Sequence, residues 1–140
     1  MDKTQLIGII AGICTGISLL PQLIKIIREK KHKVSVAINP KTPLERIIPF
    51  LNIVDQILVM SVDPGFSGQH FLENSFEKIA ALVECRKSYN FFRIGVDGGI
   101  DATHIKKLME IGVDDCAIGS GIFKYSNSLD ALHKLERVCK

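Results

Sequence analysis

The sequence predicts an α/β fold: a partial (β/α)8 TIM barrel of about four C-terminal β/α units, preceded by an apolar N-terminal helix. Three observations carry this reading. Residues 34–138 hold four short apolar runs, separated by stretches with helical periodicity. The runs lack the alternation of a one-sided sheet, so both sheet faces are covered, which means parallel strands with helical cover. The residues with chemical character sit where these runs end, the end at which such barrels carry their chemistry.

The elements follow in order. Residues 6–27 read LIGIIAGICTGISLLPQLIKII, with no charge up to Leu20 and with Gly8, Gly12 and Gly16 every four residues. That small-residue spacing lets helices approach closely in lipid. The run lies near the lower limit for a bilayer span, and Pro21 is expected to kink or end it. The basic cluster from Lys25 to Lys33 would place that end on the cytoplasmic side. Two other readings stay open: a buried helix of a soluble protein, and a cleavable signal peptide. Against the latter, the charges follow the apolar run instead of preceding it. Residues 1–33 are therefore expected to form an apolar helix with a basic flank, in contact with a membrane through residues 6–27. Residues 34–140 are expected to form the barrel part, on the cytoplasmic side.

Val34 to Ile38 is β-branched and apolar and reads as the first strand, ending at Asn39-Pro40. Thr42-Pro43-Leu44-Glu45 predicts a helix start, with Thr42 as cap, Pro43 in the first turn and Glu45 closing a capping box. Gln56 to Val62 is the second strand, followed by the loop Asp63-Pro-Gly-Phe-Ser-Gly-Gln69. A helix is expected from Ser75 to Tyr89, with Phe76, Ile79, Ala80, Leu82 and Val83 on its inner face. Phe92 to Val96 is the third strand and ends in Asp97-Gly98-Gly99. A helix from about Ala102 to Ile111 has Asp101 as N-cap and Gly112 as stop. Asp115 to Ile118 is the fourth strand, ending in Gly119-Ser120-Gly121. The last helix spans about Ser128 to Val138, with Leu129, Leu132, Leu135 and Val138 inward.

Composition narrows the function classes. The chain is 46% hydrophobic and 24% charged, enough apolar material for a packed core. Residues 1–40 carry six basic and two acidic residues, while residues 41–140 carry twelve and thirteen. The basic excess is thus confined to one short segment, and with no tryptophan there is no stacking platform, so nucleic acid is not expected as a partner. Cys14, Cys85, Cys116 and Cys139 show no metal-ligand spacing and read as reduced thiols.

Three of the four loops are glycine-rich. Backbone N–H groups in such turns bind phosphate oxygens without any side chain, and the last two units of a barrel often supply that site. Gly98, Gly99, Gly119 and Ser120 are placed for it, although such glycines also serve tight turns. Asp97 ends an apolar strand, where a carboxylate is costly unless paired, metal-bound or catalytic; a loop-bracing role stays open. Met60 is read as packing or as lining the same pocket. His70 and His104 are expected as solvated surface residues, and His32 and His133 have no evident partner.

Two resemblances add to this. GIIAGICTGISLLPQLIKIIREKK resembles the first transmembrane helix of small PQ-loop sugar transporters, through Pro21-Gln22. VSVAINPKTP, VDQILVMSVDPGFSGQHF, IGVDGGI and AIGSGIF resemble, in order and spacing, the ribulose-phosphate 3-epimerase family, from about Val34 to Val138. LIKIIREKKHK would also serve as the helix before the first of these strands. The second resemblance implies interconversion of D-ribulose 5-phosphate and D-xylulose 5-phosphate by proton transfer at C3 between two aspartates. It also implies a divalent metal ion (Zn, Fe, Mn or Co) that stabilises the enediolate. It implies Asp97 as one acid and as a metal ligand. Gly65, Phe66, Ser67 and Gly68 match the family's closing loop, and Gly98, Gly99, Gly119 and Ser120 its phosphate-holding turns. The family's first four strands, with the other aspartate and two histidine ligands, find no counterpart in these motifs. The expectation is an epimerase completed by self-association or by a complementing half-barrel. The alternative is a non-catalytic phosphosugar-binding or membrane-tethered fragment from a fusion or truncation.

Overall fold

The computed structural model describes residues 20–139. The chain divides into two compact units, Met1–Val34 and Ser35–Lys140. In the first unit the described element is α1, Leu20–Glu29. Pro21 stands in the first turn of this helix, where its missing N–H costs nothing; the expectation that it kinks or ends the apolar run before it falls outside the described residues. Ile24 and Ile27, three residues apart, are buried, while Gln22, Lys25, Ile26, Arg28 and Glu29 are exposed. That one-sided pattern is the signature of an amphipathic helix, not of an all-round apolar one. Among the described residues no helix is long and apolar enough to cross a membrane. Most of the run that suggested a span, residues 6–19, lies outside the described residues.

The second unit is a four-stranded parallel sheet: β1 Ser35–Ile38, β2 Gln56–Met60, β3 Arg93–Asp97 and β4 Asp115–Ala117, in the order β1-β2-β3-β4. Each strand pairs with its successor in sequence, through connections that carry α2 (Ser75–Arg86) and α3 (Ala102–Ile111). A short helical turn α4 (Ser120–Phe123) and α5 (Ser128–Val138) close the chain.

Strand alternation sorts the side chains. Ile57, Val59, Ile94 and Val96 are fully buried under the helices, against a layer that includes Ile79, Leu82 and Leu108. The other face carries Ala37, Leu58, Met60, Asp97 and Ala117, which are half-buried or exposed among the described residues. At the N-terminal ends of the strands, Arg93 pairs with Asp115, which also accepts from Gln56 Nε2 at 3.1 Å. Arg86 pairs with Asp114 at 2.6 Å, and Asp114 accepts from the Ile94 N–H at 2.7 Å. Polar networks at this end of a β/α sheet serve stability and leave the opposite end for chemistry.

Helix α3 has the expected bounds. The Asp101 carboxylate accepts from the N–H groups of Thr103 and His104, the His104 ring closes a capping box, and Gly112 ends the helix at φ 105°. Other expectations differ. The segment after β1 forms two 3-10 turns, Leu44–Arg46 and Ile48–Phe50, and no capping box at Thr42. Pro49 explains this: it has no N–H to donate back to the Glu45 carbonyl, so an α-helix begun at Leu44 cannot run through it. In α2, Ala80 is exposed while Phe76, Ile79 and Leu82 are buried. In α5 the buried residues are Ala131 and Leu135; Leu129 and Leu132 are exposed and Val138 is half-buried.

Candidate functional site

The strand register sets the site. Met60 pairs with Asp97, and Asp97 with Ala117, so three strand ends form one row. Above this row lies a cleft of about 320 Å³. Gly65, Phe66, Ser67, Gly68, Asp97, Gly98, Gly99, Gly119 and Ser120 all line it, and so does Met60. The sequence had singled out all nine of the former, from three separate loops.

Each loop is held by identifiable contacts. Gln69 Nε2 donates to the carbonyls of Asp63 (2.7 Å) and Phe66 (2.9 Å), folding loop 63–69 on itself. Lys41, beyond β1, pairs with Asp63 at 3.2 Å and ties the first two strand ends together. Lys78 of α2 donates to the carbonyls of Asn39, Pro40 and Thr42, and burial lowers its pKa. Phe66 stands at the loop tip with 75% of its surface exposed, an unusual cost for an aromatic ring beside a cleft.

The turn after β3 is the tightest feature. Gly98 and Gly99 have φ of 122° and 64°, a region that side chains disfavour. A Cβ on Gly99 would lie 2.4 Å from the Phe71 nitrogen, so the turn packs directly on the backbone following loop 63–69.

Ser61 was not anticipated. It is fully buried, and its Oγ lies within hydrogen-bond reach of the Asp97 and Gly98 carbonyls. A serine inside an apolar strand gives no sequence signal until its partners are known. Gln69 was read only as part of a loop. His104 is a correction: its side chain is 16% exposed, stacks on Phe71 at 4.5 Å and contacts Asp101 at 2.8 Å. It is a structural residue, not a solvated one. His32, His70 and His133 are exposed.

Asp97 is half-buried and has no ion-pair partner among the described residues. The other carboxylate on the cleft, Asp63, is the one that pairs with Lys41. No group of three His, Cys, Asp or Glu side chains that could hold a metal ion occurs among the described residues. One carboxylate is a poor divalent site. The implied metal therefore finds no fitting donor set here. Cys85, Cys116 and Cys139 are free thiols; Cys14 lies outside the described residues.

The chain matches the model of the Ribulose-phosphate 3 epimerase family over residues 10–123. This match takes in most of the stretch that resembled a PQ-loop helix. It is 42% identical over 101 residues to the ribulose-phosphate 3-epimerase of Aquifex aeolicus, covering 71% of this chain and 46% of that protein. It is 38% identical over 103 residues to the enzyme of Treponema pallidum, covering 73% and 47%. With the enzyme of Buchnera aphidicola from Acyrthosiphon pisum it shares 35% over 122 residues, covering 84% and 52%. The chain thus spans about half the length of the curated relatives it matches. Among solved structures, the Amycolatopsis orientalis BexX/CysO complex superposes with a TM-score of 0.64 at 17% identity, covering 88% of this chain and 48% of that one. KGPDC from Streptococcus mutans superposes with a TM-score of 0.58 at 19% identity, covering 84% and 51%. Both support the α/β fold.

Proposed function

Since this chain belongs to the ribulose-phosphate 3-epimerase family, we propose that its cleft takes a pentulose 5-phosphate and serves the interconversion of D-ribulose 5-phosphate and D-xylulose 5-phosphate. The observation that carries this is the gathering of a carboxylate without an ion-pair partner, Asp97, with four residues of two phosphate-type turns on one cleft. On this reading the sheet is part of a (β/α)8 barrel, and its open face is the barrel interior.

The chemistry follows from the groups present. Epimerisation at C3 breaks the C3–H bond and leaves its electron pair in an enediolate spanning C2 and C3. The Asp97 carboxylate takes the proton from one face, or its carboxyl returns one to that face. Inversion needs a second acid on the opposite face. The other carboxylate on the cleft is engaged by Lys41. The second acid therefore comes from outside the described residues: from the rest of the protein, a second copy or a complementing half-barrel. Loop 63–69, with Phe66 at its tip, is placed to cover bound substrate and exclude water. Gly98, Gly99, Gly119 and Ser120 would hold the phosphate through backbone N–H groups.

The test is a coupled epimerase assay with D-ribulose 5-phosphate and added divalent metal, run beside Asp97→Asn. Conversion that is lost in the variant supports the proposal. A second reading is phosphosugar binding without turnover. Tight binding without conversion by a folded chain would select it. Absence of both binding and conversion would refute both readings.

A further inference from the structure

Ser61 stands at the end of β2 with none of its surface exposed. Its Oγ lies 3.0 Å from the Asp97 carbonyl oxygen and 2.6 Å from that of Gly98. Its N–H donates to the Asp97 carbonyl at 2.8 Å, and its own carbonyl accepts from the Leu72 N–H at 2.8 Å. One residue thus joins the end of β2, the turn after β3 and the base of loop 63–69.

Two consecutive carbonyls converge on Ser61, and this fixes the N–H groups as well. In a trans peptide the C=O and the N–H that follows it point in opposite directions. Turning the Asp97 and Gly98 carbonyls toward Ser61 therefore turns the Gly98 and Gly99 N–H groups away from it. The Gly98 N–H lies on the β4 side, beside the rung Asp97–Ala117, whereas no acceptor for the Gly99 N–H occurs among the described residues, and both glycines line the cleft. Gly98 reaches this arrangement at φ 122°, open to it without a side chain. A backbone N–H left without an acceptor at a turn beside a cleft is a donor for an anion.

We propose that Ser61 is a positioning residue: its hydroxyl donates to the Gly98 carbonyl and so holds the Gly99 N–H facing a substrate phosphate. The proposal rests on the phosphosugar reading above. The hydroxyl matters most for Gly98. Without it, the Asp97 carbonyl keeps the Ser61 N–H, but the Gly98 carbonyl has no other donor among the described residues. The Gly98–Gly99 peptide, flanked by two glycines, is then released to flip, and a flip reverses the Gly99 N–H.

The experiment compares the chain with Ser61→Ala and Ser61→Thr by amide NMR, titrating inorganic phosphate and then D-ribulose 5-phosphate. Ser61→Ala is expected to move the Gly99 amide signal in the free chain and to weaken both ligands about tenfold or more. Ser61→Thr keeps the hydroxyl and is expected to stay within about threefold. Thermal unfolding is followed in parallel, and if the alanine variant does not fold, Ser61→Cys, of similar shape but a weak donor, is read in its place. A lower melting temperature with an unmoved Gly99 signal and unchanged phosphate affinity would make Ser61 merely structural and overturn the proposal. Absence of phosphate binding by the wild-type chain would overturn the phosphosugar reading, and this proposal with it. Equal binding by wild type and Ser61→Ala would overturn this proposal alone.

Discussion

Replacing Gly99 by alanine sets one methyl group against three backbone atoms. The new Cβ would stand 2.4 Å from the Phe71 nitrogen, 2.7 Å from the His70 carbonyl carbon and 2.8 Å from the Gln69 oxygen. None of these is the end of a flexible side chain, so the chain after loop 63–69 must move. The residue would also sit at φ 64°, which costs a non-glycine residue about 1–2 kcal/mol. Forcing a methyl group into packed surroundings adds about 1–3 kcal/mol. Together the loss is about 2–5 kcal/mol, a large part of the stability of a small domain. With a urea slope of about 1.5 kcal/mol/M, the midpoint falls by about 1.3–3.3 M. Gly119→Ala is the matched control: it lines the same cleft, has negative φ, and its Cβ would meet nothing within 4 Å. It is expected to leave the urea midpoint unchanged. Equal midpoints for Gly99→Ala and wild type would refute the close approach of the turn to the loop, and with it the description of the cleft.

Three further outcomes follow. Asp101→Ala removes the carboxylate that caps α3 and is expected to destabilise the chain by about 1–2 kcal/mol in urea unfolding, with Asn restoring most of it. The hydrogen bond from Arg93 holds the Asp115 carboxyl below the usual carboxylate range. A depressed folded pKa contributes stability above the unfolded value of about 4, lost as pH falls through the folded one. The urea midpoint should therefore drop on acidification below about pH 4. Asp115→Asn should flatten that drop slightly, since the pair is largely exposed. Burial, then the neighbouring Cys139 and Asp115, pushes the Cys116 thiol up to about 11. At pH 8, a disulfide reagent should label the exposed Cys139 quickly and the half-buried Cys116 slowly; equal rates would contradict the raised thiol pKa.

Much of this site was legible because its chemistry is written in local sequence. Asp97-Gly98-Gly99 and Gly119-Ser120 follow apolar runs, and a parallel sheet puts all such ends on one side. Helix α3 was readable to the residue because Asp101 and Gly112 act within one turn. The features that were missed depend on distant partners. Ser61 looks like any strand serine until Asp97 and Gly98, 36 and 37 positions away, converge on it. His104 is claimed by Phe71 through stacking, which periodicity does not encode. The buried face of α5 holds Ala131 and Leu135 and leaves Leu129 and Leu132 exposed, a choice of face that hydrophobicity along the helix does not encode. The helix expected after Thr42 does not form because Pro49, downstream of its start signals, interrupts it. The metal expectation came from the family likeness, and the described residues supply Asp97 without companions.

The most direct measurement is calorimetric titration of the chain with D-ribulose 5-phosphate, with unphosphorylated D-ribulose as the comparison. The account predicts saturable binding of the phosphate ester, at least tenfold weaker or absent for the free sugar, and weakened by Ser61→Ala. Equal binding of the two sugars, or none by a folded chain, would contradict the assignment of this cleft to a pentulose 5-phosphate.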